Sequence, residues 1–210
     1  MKVKRILAMS LVVLLVVAGA SPSVVSADTA QPWYLNDTAI ATRYEMDKDT
    51  RDYTPSSVSI DNGSSVVWIA DEASQGCTFP AGTWGGFVWL TSSVSGTITL
   101  DVGYWDGTFN SNGNTQDVDP QGAAFLGISI GANLFTVASG DYLAFKMTNS
   151  TGATISVYTG GPAQSFLTSP STDPGYPIPE LPTIVLLITG LVGLATYLGL
   201  KRRNRVYFKT

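Results

Sequence analysis

With no histidine and a single cysteine among its 210 residues, this sequence must do any chemistry with carboxylates, amides, hydroxyls and a few amines. The lack of imidazole removes Ser-His-Asp triads, imidazole proton shuttles and the commonest zinc ligand. Carboxylate chemistry or a Ser-Lys arrangement remains. Two carboxylates flanking a cleft would suit glycoside hydrolysis, and Asp71 or Glu72 with Asp101 or Asp106 could supply them at strand ends. Nothing in the spacing selects that pairing over another, so no catalytic residue is assigned.

Asn110, Asn112 and Asn114 alternate around Gly113 and are followed by Asp117 and Asp119. Side-chain oxygens spaced in this way around a glycine are what a flexible calcium loop uses, and two formal charges would make a weak site suited to extracellular calcium. A solvated hairpin loop accounts for the same residues. A second acidic cluster, Asp47, Asp49 and Asp52, is interleaved by Lys48 and Arg51 and departs from EF-type ligand spacing after its second Asp. It reads as a decorated loop. Calcium is therefore the one cofactor the sequence raises.

Three sequons, Asn36-Asp37-Thr38, Asn62-Gly63-Ser64 and Asn149-Ser150-Thr151, stand in turn-like positions and make Asn36, Asn62 and Asn149 candidate glycosylation sites. Cys77 has no partner for an intramolecular disulfide and reads as a small buried hydrophobe. The five tryptophans are Trp33, Trp68, Trp84, Trp89 and Trp105. Aromatics in strands usually build the core, and Trp105 is the best outward candidate because it continues the polar face of its strand.

The elements that must position these groups lie between two terminal segments of different character. Eight of the twelve basic residues sit at the ends, whereas residues 28–176 hold fifteen acids against Arg43, Lys48, Arg51 and Lys146, a charge near −11. A field of that sign repels phosphate backbones, so nucleic acid is excluded as a partner. Met1–Arg5 is basic, Ile6–Ala20 is apolar, and small residues precede a cleavage point between Ala27 and Asp28. Residues 1–27 thus read as a signal peptide, a substrate of signal peptidase.

At the other end, residues 168–179 are rich in Ser, Thr, Pro, Gly and Asp and read as an extended spacer. Residues 181–200 run without a charge, long enough for one transmembrane helix, and Lys201-Arg202-Arg203-Asn204-Arg205 follows. The positive-inside rule puts that cluster in the cytoplasm, with residues 206–210 as the cytoplasmic end and everything before residue 180 outside.

Pro179-Glu180-Leu181-Pro182-Thr183, an apolar span and a basic cluster together resemble the tripartite PEP-CTERM and PEF-CTERM sorting tails, with the archaeal PEF-CTERM form the nearer. The resemblance covers about thirty residues, 180–205 with their approach, and Leu181 stands where a Phe is usual. It implies recognition by an exosortase or archaeosortase and processing at Pro179, Glu180, Leu181 and Pro182. The stretches Val67–Glu72, Phe79–Trp84 and Gly140–Phe145 are similar to patterns in uncharacterised archaeal surface β-sandwich proteins, which carry no known activity.

Between the ends, short alternating runs separated by Gly, Asn, Asp and Ser predict half-buried antiparallel strands. In Thr97–Trp105, Ile98, Leu100, Val102 and Tyr104 take one face, and Thr97, Thr99, Asp101 and Gly103 the other. Ten such runs, near 31–36, 39–46, 56–61, 64–71, 85–92, 97–105, 123–130, 133–138, 141–148 and 153–159, predict an all-β fold over 28–167. Two packed antiparallel sheets, a jelly-roll-like β-sandwich, are the expected arrangement.

With delivery signals and no catalytic constellation, the sequence alone suggests a non-catalytic, membrane-anchored surface component. An adhesin-like module binding a glycan, an envelope polymer or a surface protein is the second reading, and a carboxylate glycoside hydrolase the third. Intact mass of the exported protein should place its N-terminus at Asp28; a chain that retains Met1 would overturn the signal-peptide assignment.

Overall fold

The computed structural model describes residues 30–48, 50–173 and 175–176. The expected processing points Ala27, Asp28, Pro179, Glu180, Leu181 and Pro182, and the expected span 181–200, lie outside the described residues. Among those described, no helix is long and apolar enough to cross a membrane.

The described chain is all-β, as its alternation predicts. Its strands are β1 Pro32–Ile40, β2 Arg43–Asp47, β3 Ser57–Ile60, β4 Ser65–Ala70, β5 Cys77–Phe79, β6 Gly82–Trp89 and β7 Thr97–Trp105. They continue with β8 Phe109–Val118, β9 Phe125–Ala132, β10 Phe135–Val137, β11 Tyr142–Ser150, β12 Ile155–Tyr158 and β13 Phe166–Thr168. The period-2 pattern works as a burial code: in β9, Leu126, Ile128, Ile130 and Ala132 are buried while the residues between them face out.

The arrangement departs from the expected two-sheet sandwich. Nine strands form one sheet in the order β8-β7-β11-β4-β2-β1-β13-β6-β9, and β10-β5 and β12-β3 are separate two-stranded pairs. The large sheet curls into a nearly closed barrel, so that one inner face supplies both sides of the core. Trp33, Trp68 and Trp84 are fully buried in it with Leu100, Phe145 and Leu167. One pairing within the sheet, β2 with β4, is parallel.

The two ends of the sheet, β8 and β9, meet through a side chain. Gln116 on β8 donates its Nε2 to the Gly127 carbonyl at 3.3 Å and accepts the Ser129 N–H on its Oε1 at 2.7 Å. Its carboxamide thus does for β9 what a neighbouring strand's peptide unit would do, satisfying backbone groups at an edge that would otherwise lie open. The β7–β8 register shifts between Asp101 and Gly103, and a Cβ at Gly103 would run into the Asn110 carbonyl. Only glycine admits that close approach.

Three strands escape the sequence pattern. β8 reads as a polar loop because its residues carry almost no apolar alternation, β5 is only three residues long, and β13 falls beside the presumed spacer. That spacer is itself corrected: the described residues just after β13 pack onto the barrel, with Ser169, Asp173 and Tyr176 buried. Ser169 N–H donates to the Gln31 carbonyl and Gln31 N–H to Ser169 Oγ. Tyr176 sits edge-on to Trp33 at 5.4 Å, donates its hydroxyl to the Glu72 carbonyl at 2.8 Å and accepts the Leu143 N–H at 3.2 Å. One aromatic residue among prolines and glycines anchors the segment, because burying it gains more than the ordering costs.

Replacing Gln116 with Ala should uncouple the seam. The expected loss is about 1 kcal/mol, with faster hydrogen exchange at the Ser129 amide; unchanged exchange there would show that the seam does not depend on this side chain.

Candidate functional site

The charged residues carried by strands are confined to one part of the barrel. β2 contributes Arg43, Glu45 and Asp47, β7 Asp101, β8 Asp117, β11 Lys146, and β1 adds Asp37, while β6, β9 and β13 carry none. The run β8-β7-β11-β4-β2 therefore presents an outer face of mixed but mainly acidic character.

At its centre, Asp101 on β7 is opposite Lys146 on β11. The Lys146 ammonium lies 3.9 Å from one Asp101 oxygen, and Ser111 donates its hydroxyl to the other at 2.9 Å. Burial pushes the Asp101 carboxyl above the usual carboxylate range, opposed by the Ser111 hydrogen bond and the Lys146 charge. The Phe109 ring covers the Lys146 ammonium at 4.5 Å, and the Arg43 guanidinium stands 4.5 Å over Trp105. A hydroxyl bonded to a carboxylate with an ammonium alongside is a set able to polarise a polar substrate group.

The second feature follows from the parallel pairing. Glu45 is beside Ile69 and Met46 beside Ala70, and Asp71 N–H donates to the Met46 carbonyl at 3.0 Å. The register thereby carries Asp71 alongside Asp47, with Glu45 and Glu72 nearby. The Asp71 carboxyl is pushed up by its partial burial, then by the charges of Asp47, Glu72 and Glu45. Among the described residues no group of three or more His, Cys, Asp or Glu is placed to hold a metal ion. The cluster acts through its field on cations rather than as a metal cage.

The residues singled out from the sequence are placed as follows. Asn110, Asn112, Asn114 and Asp117 lie along strand β8 and Asp119 just after it, not around one loop. Their groups bond locally: Asn110 Nδ2 donates to the Thr108 carbonyl, Asn112 accepts the Asn114 N–H, Asp117 accepts the Thr99 hydroxyl, and Asp119 accepts the Gly96 and Gln121 N–H groups. Extended geometry spaces same-face neighbours by about 7 Å, so the strand does not gather these oxygens around an ion. Asp106 accepts the Thr108 N–H and hydroxyl in a turn, and Asp71 and Asp101 stand roughly 16 Å apart by strand spacing and rise.

Asn62 is exposed and Asn36 half-buried. Asn149 is buried, with Nδ2 donating to the Ile60 and Ala153 carbonyls at 2.8 and 2.7 Å. The nitrogen a glycan would occupy is committed to the fold, which corrects the expectation for that sequon. Cys77 is buried as expected, and burial together with the Asp173 charge raises its thiol to about 12.

No protein-family model matches the chain, and no curated protein does so either. Among solved structures, its fold is similar to that of an α-amino acid ester hydrolase, with TM-score 0.52 and 8% identity over 68% of this chain and 36% of that one. An aminopeptidase from a marine sediment Thaumarchaeota archaeon gives 0.50 and 6% over 67% and 36%. A CocE/NonD family hydrolase from Staphylococcus aureus gives 0.48 and 13% over 67% and 36%. The chain thus spans about a third of the length of the structures it matches.

These neighbours correct the functional expectation from sequence. A non-catalytic surface component, an adhesin-like module and the expectation that no enzyme is involved give way to a fold found in the ester hydrolase and the aminopeptidase. The expectation failed because delivery signals report where a chain goes, and the absence of histidine in 210 residues reports only what those residues lack.

The Asp71 environment has a pH consequence. Its native carboxyl binds a proton more tightly than the unfolded chain's, so the group's contribution to stability falls as pH rises above the ordinary 3.8. Asp71→Asn should therefore raise Tm at about pH 7 and leave it unchanged at about pH 2.5, where both states are protonated. An equal shift at both pH values would assign the effect to something other than this titration.

Proposed function

We propose that this chain is a hydrolase-type β-barrel module whose acidic face draws in a substrate bearing an ammonium group, such as an α-amino ester or a peptide N-terminus. The observation that carries the reading is the fold shared with the α-amino acid ester hydrolase over 68% of this chain. The archaeal neighbour is named as an aminopeptidase, which supports the same class of substrate.

The surface supplies the physical reason. Residues 28–176 carry a charge near −11, which raises the local concentration of cationic solutes. The Glu45–Asp47–Asp71–Glu72 cluster would meet the ammonium. Any imidazole in the hydrolytic chemistry comes from outside these 210 residues, because they contain none.

Delivery forms part of the proposal. The signal peptide would export the barrel, and the PEF-CTERM-like tail would hold it at the cell surface until an exosortase or archaeosortase acts at Pro179–Pro182. The module would then work on ester or amide substrates outside the cell.

The test is binding by the purified protein of an L-amino acid methyl ester and of its N-acetylated counterpart, followed by titration of amide chemical shifts. The free amine should bind at least about tenfold more tightly, weaken with salt and lose that margin in the Glu45→Gln/Asp71→Asn variant. Equal affinity for the two esters would sink the reading.

A further inference from the structure

The uncharged part of the barrel has a character of its own. On the outer face of β1, β13, β6 and β9, the rings of Tyr34, Phe166, Phe87, Trp89 and Phe125 form one continuous chain. Successive centroids are 6.1 Å (Tyr34–Phe166), 6.0 Å (Phe166–Phe87), 6.5 Å (Phe87–Trp89) and 5.4 Å (Trp89–Phe125) apart. The β-ladders set this up, since Tyr34 is opposite Phe166, Phe166 opposite Phe87, and Trp89 opposite Phe125.

Phe87 and Phe125 remain 43% and 49% exposed, which is unusual for phenylalanines that could have been placed in the core. Gly127 stands opposite Phe87, and no atom lies within 4 Å of where its side chain would begin. The aromatic ridge is thus flanked by bare backbone, a step into which another surface can fit. β6, β9 and β13 contain no Asp, Glu, Lys or Arg, although the domain as a whole carries its charge near −11.

We propose that this aromatic face is where a hydrolase polypeptide docks, the body that supplies the part of the catalytic machinery missing from these residues. The inference rests on the hydrolase-module reading and names its partner surface. Two observations select this occupant. The fold covers only 36% of each similar hydrolase chain, so in those proteins most of the chain lies beyond the part that corresponds to it. Strands β6, β9 and β13 of the face are also free of charge, so a protein partner can dry them without desolvating an ion, and exposed aromatics are the side chains that anchor such interfaces. A second copy fits less well, because two domains near −11 repel each other.

The experiment uses the full-length tagged protein produced in its own host, comparing wild type with Phe87→Ser/Phe125→Ser. Both substitutions are at exposed positions, and an unchanged Tm checks that the variant folds. Envelope extracts are captured by the tag, and the eluate is assayed on an L-amino acid p-nitroanilide and a p-nitrophenyl ester. Wild type should retain hydrolytic activity, the double variant at least about tenfold less, as expected when two anchor residues are lost, and Tyr53→Ser, at an exposed aromatic residue outside this face, as much as wild type.

Equal activity with wild type and the double variant would overturn the aromatic face while leaving the hydrolase reading intact. A polypeptide captured through this face without hydrolytic activity would overturn the identity of the partner and the hydrolase reading with it. Light scattering that shows a dimer abolished by the substitutions would assign the face to a second copy. Retention on polysaccharide or lipid vesicles, lost in the variant, would assign it to a non-protein surface; both results overturn the proposal.

Discussion

Everything in this domain depends on bringing the two ends of one long sheet together. A nine-stranded sheet with a single apolar face has nowhere to bury that face except against itself, and curling gives each inward side chain a partner across the barrel. The tryptophans fill the space this creates, with Trp33, Trp68 and Trp84 fully buried. Closure leaves β8 and β9 facing each other without a full ladder, and Gln116 bridges them with a peptide-like carboxamide. A polar strand that looks like a loop in sequence is therefore a structural edge.

Once the inner face is committed to the core, the outer face is free to differ around the circumference. Acids and the paired Lys146 lie over β7, β8, β11 and β2, whereas β6, β9 and β13 show rings and bare backbone. The two parts suit different partners. A charged surface acts at a distance on small ions and dissolved substrates, and an uncharged aromatic surface acts only at contact, on something large enough to exclude water.

The parts of the fold legible in sequence are those where alternation is strong. β7, β9 and β11 appear near their true positions because each buries every second residue. β8 was hidden because asparagine and serine carry no inward signal, and β13 because three residues give no period to detect. The acidic cluster shows the same limit. Asp47 groups with Asp49 and Asp52 along the chain, yet its neighbour in space is Asp71, brought there by a parallel pairing that local pattern does not encode.

By itself the sequence determined the all-β class, the acidic charge of the region between its ends, the absence of imidazole chemistry within these residues and the inward place of most tryptophans. Each of these follows from composition or from a period of two, which are local properties. Tertiary structure alone decided that there is one curled sheet rather than two, that Ser169, Asp173 and Tyr176 belong to the domain, that Asn149 is committed to buried hydrogen bonds, and that five aromatic residues from four strands form one face. Those outcomes depend on which strands become neighbours, and that choice is made by the whole core at once.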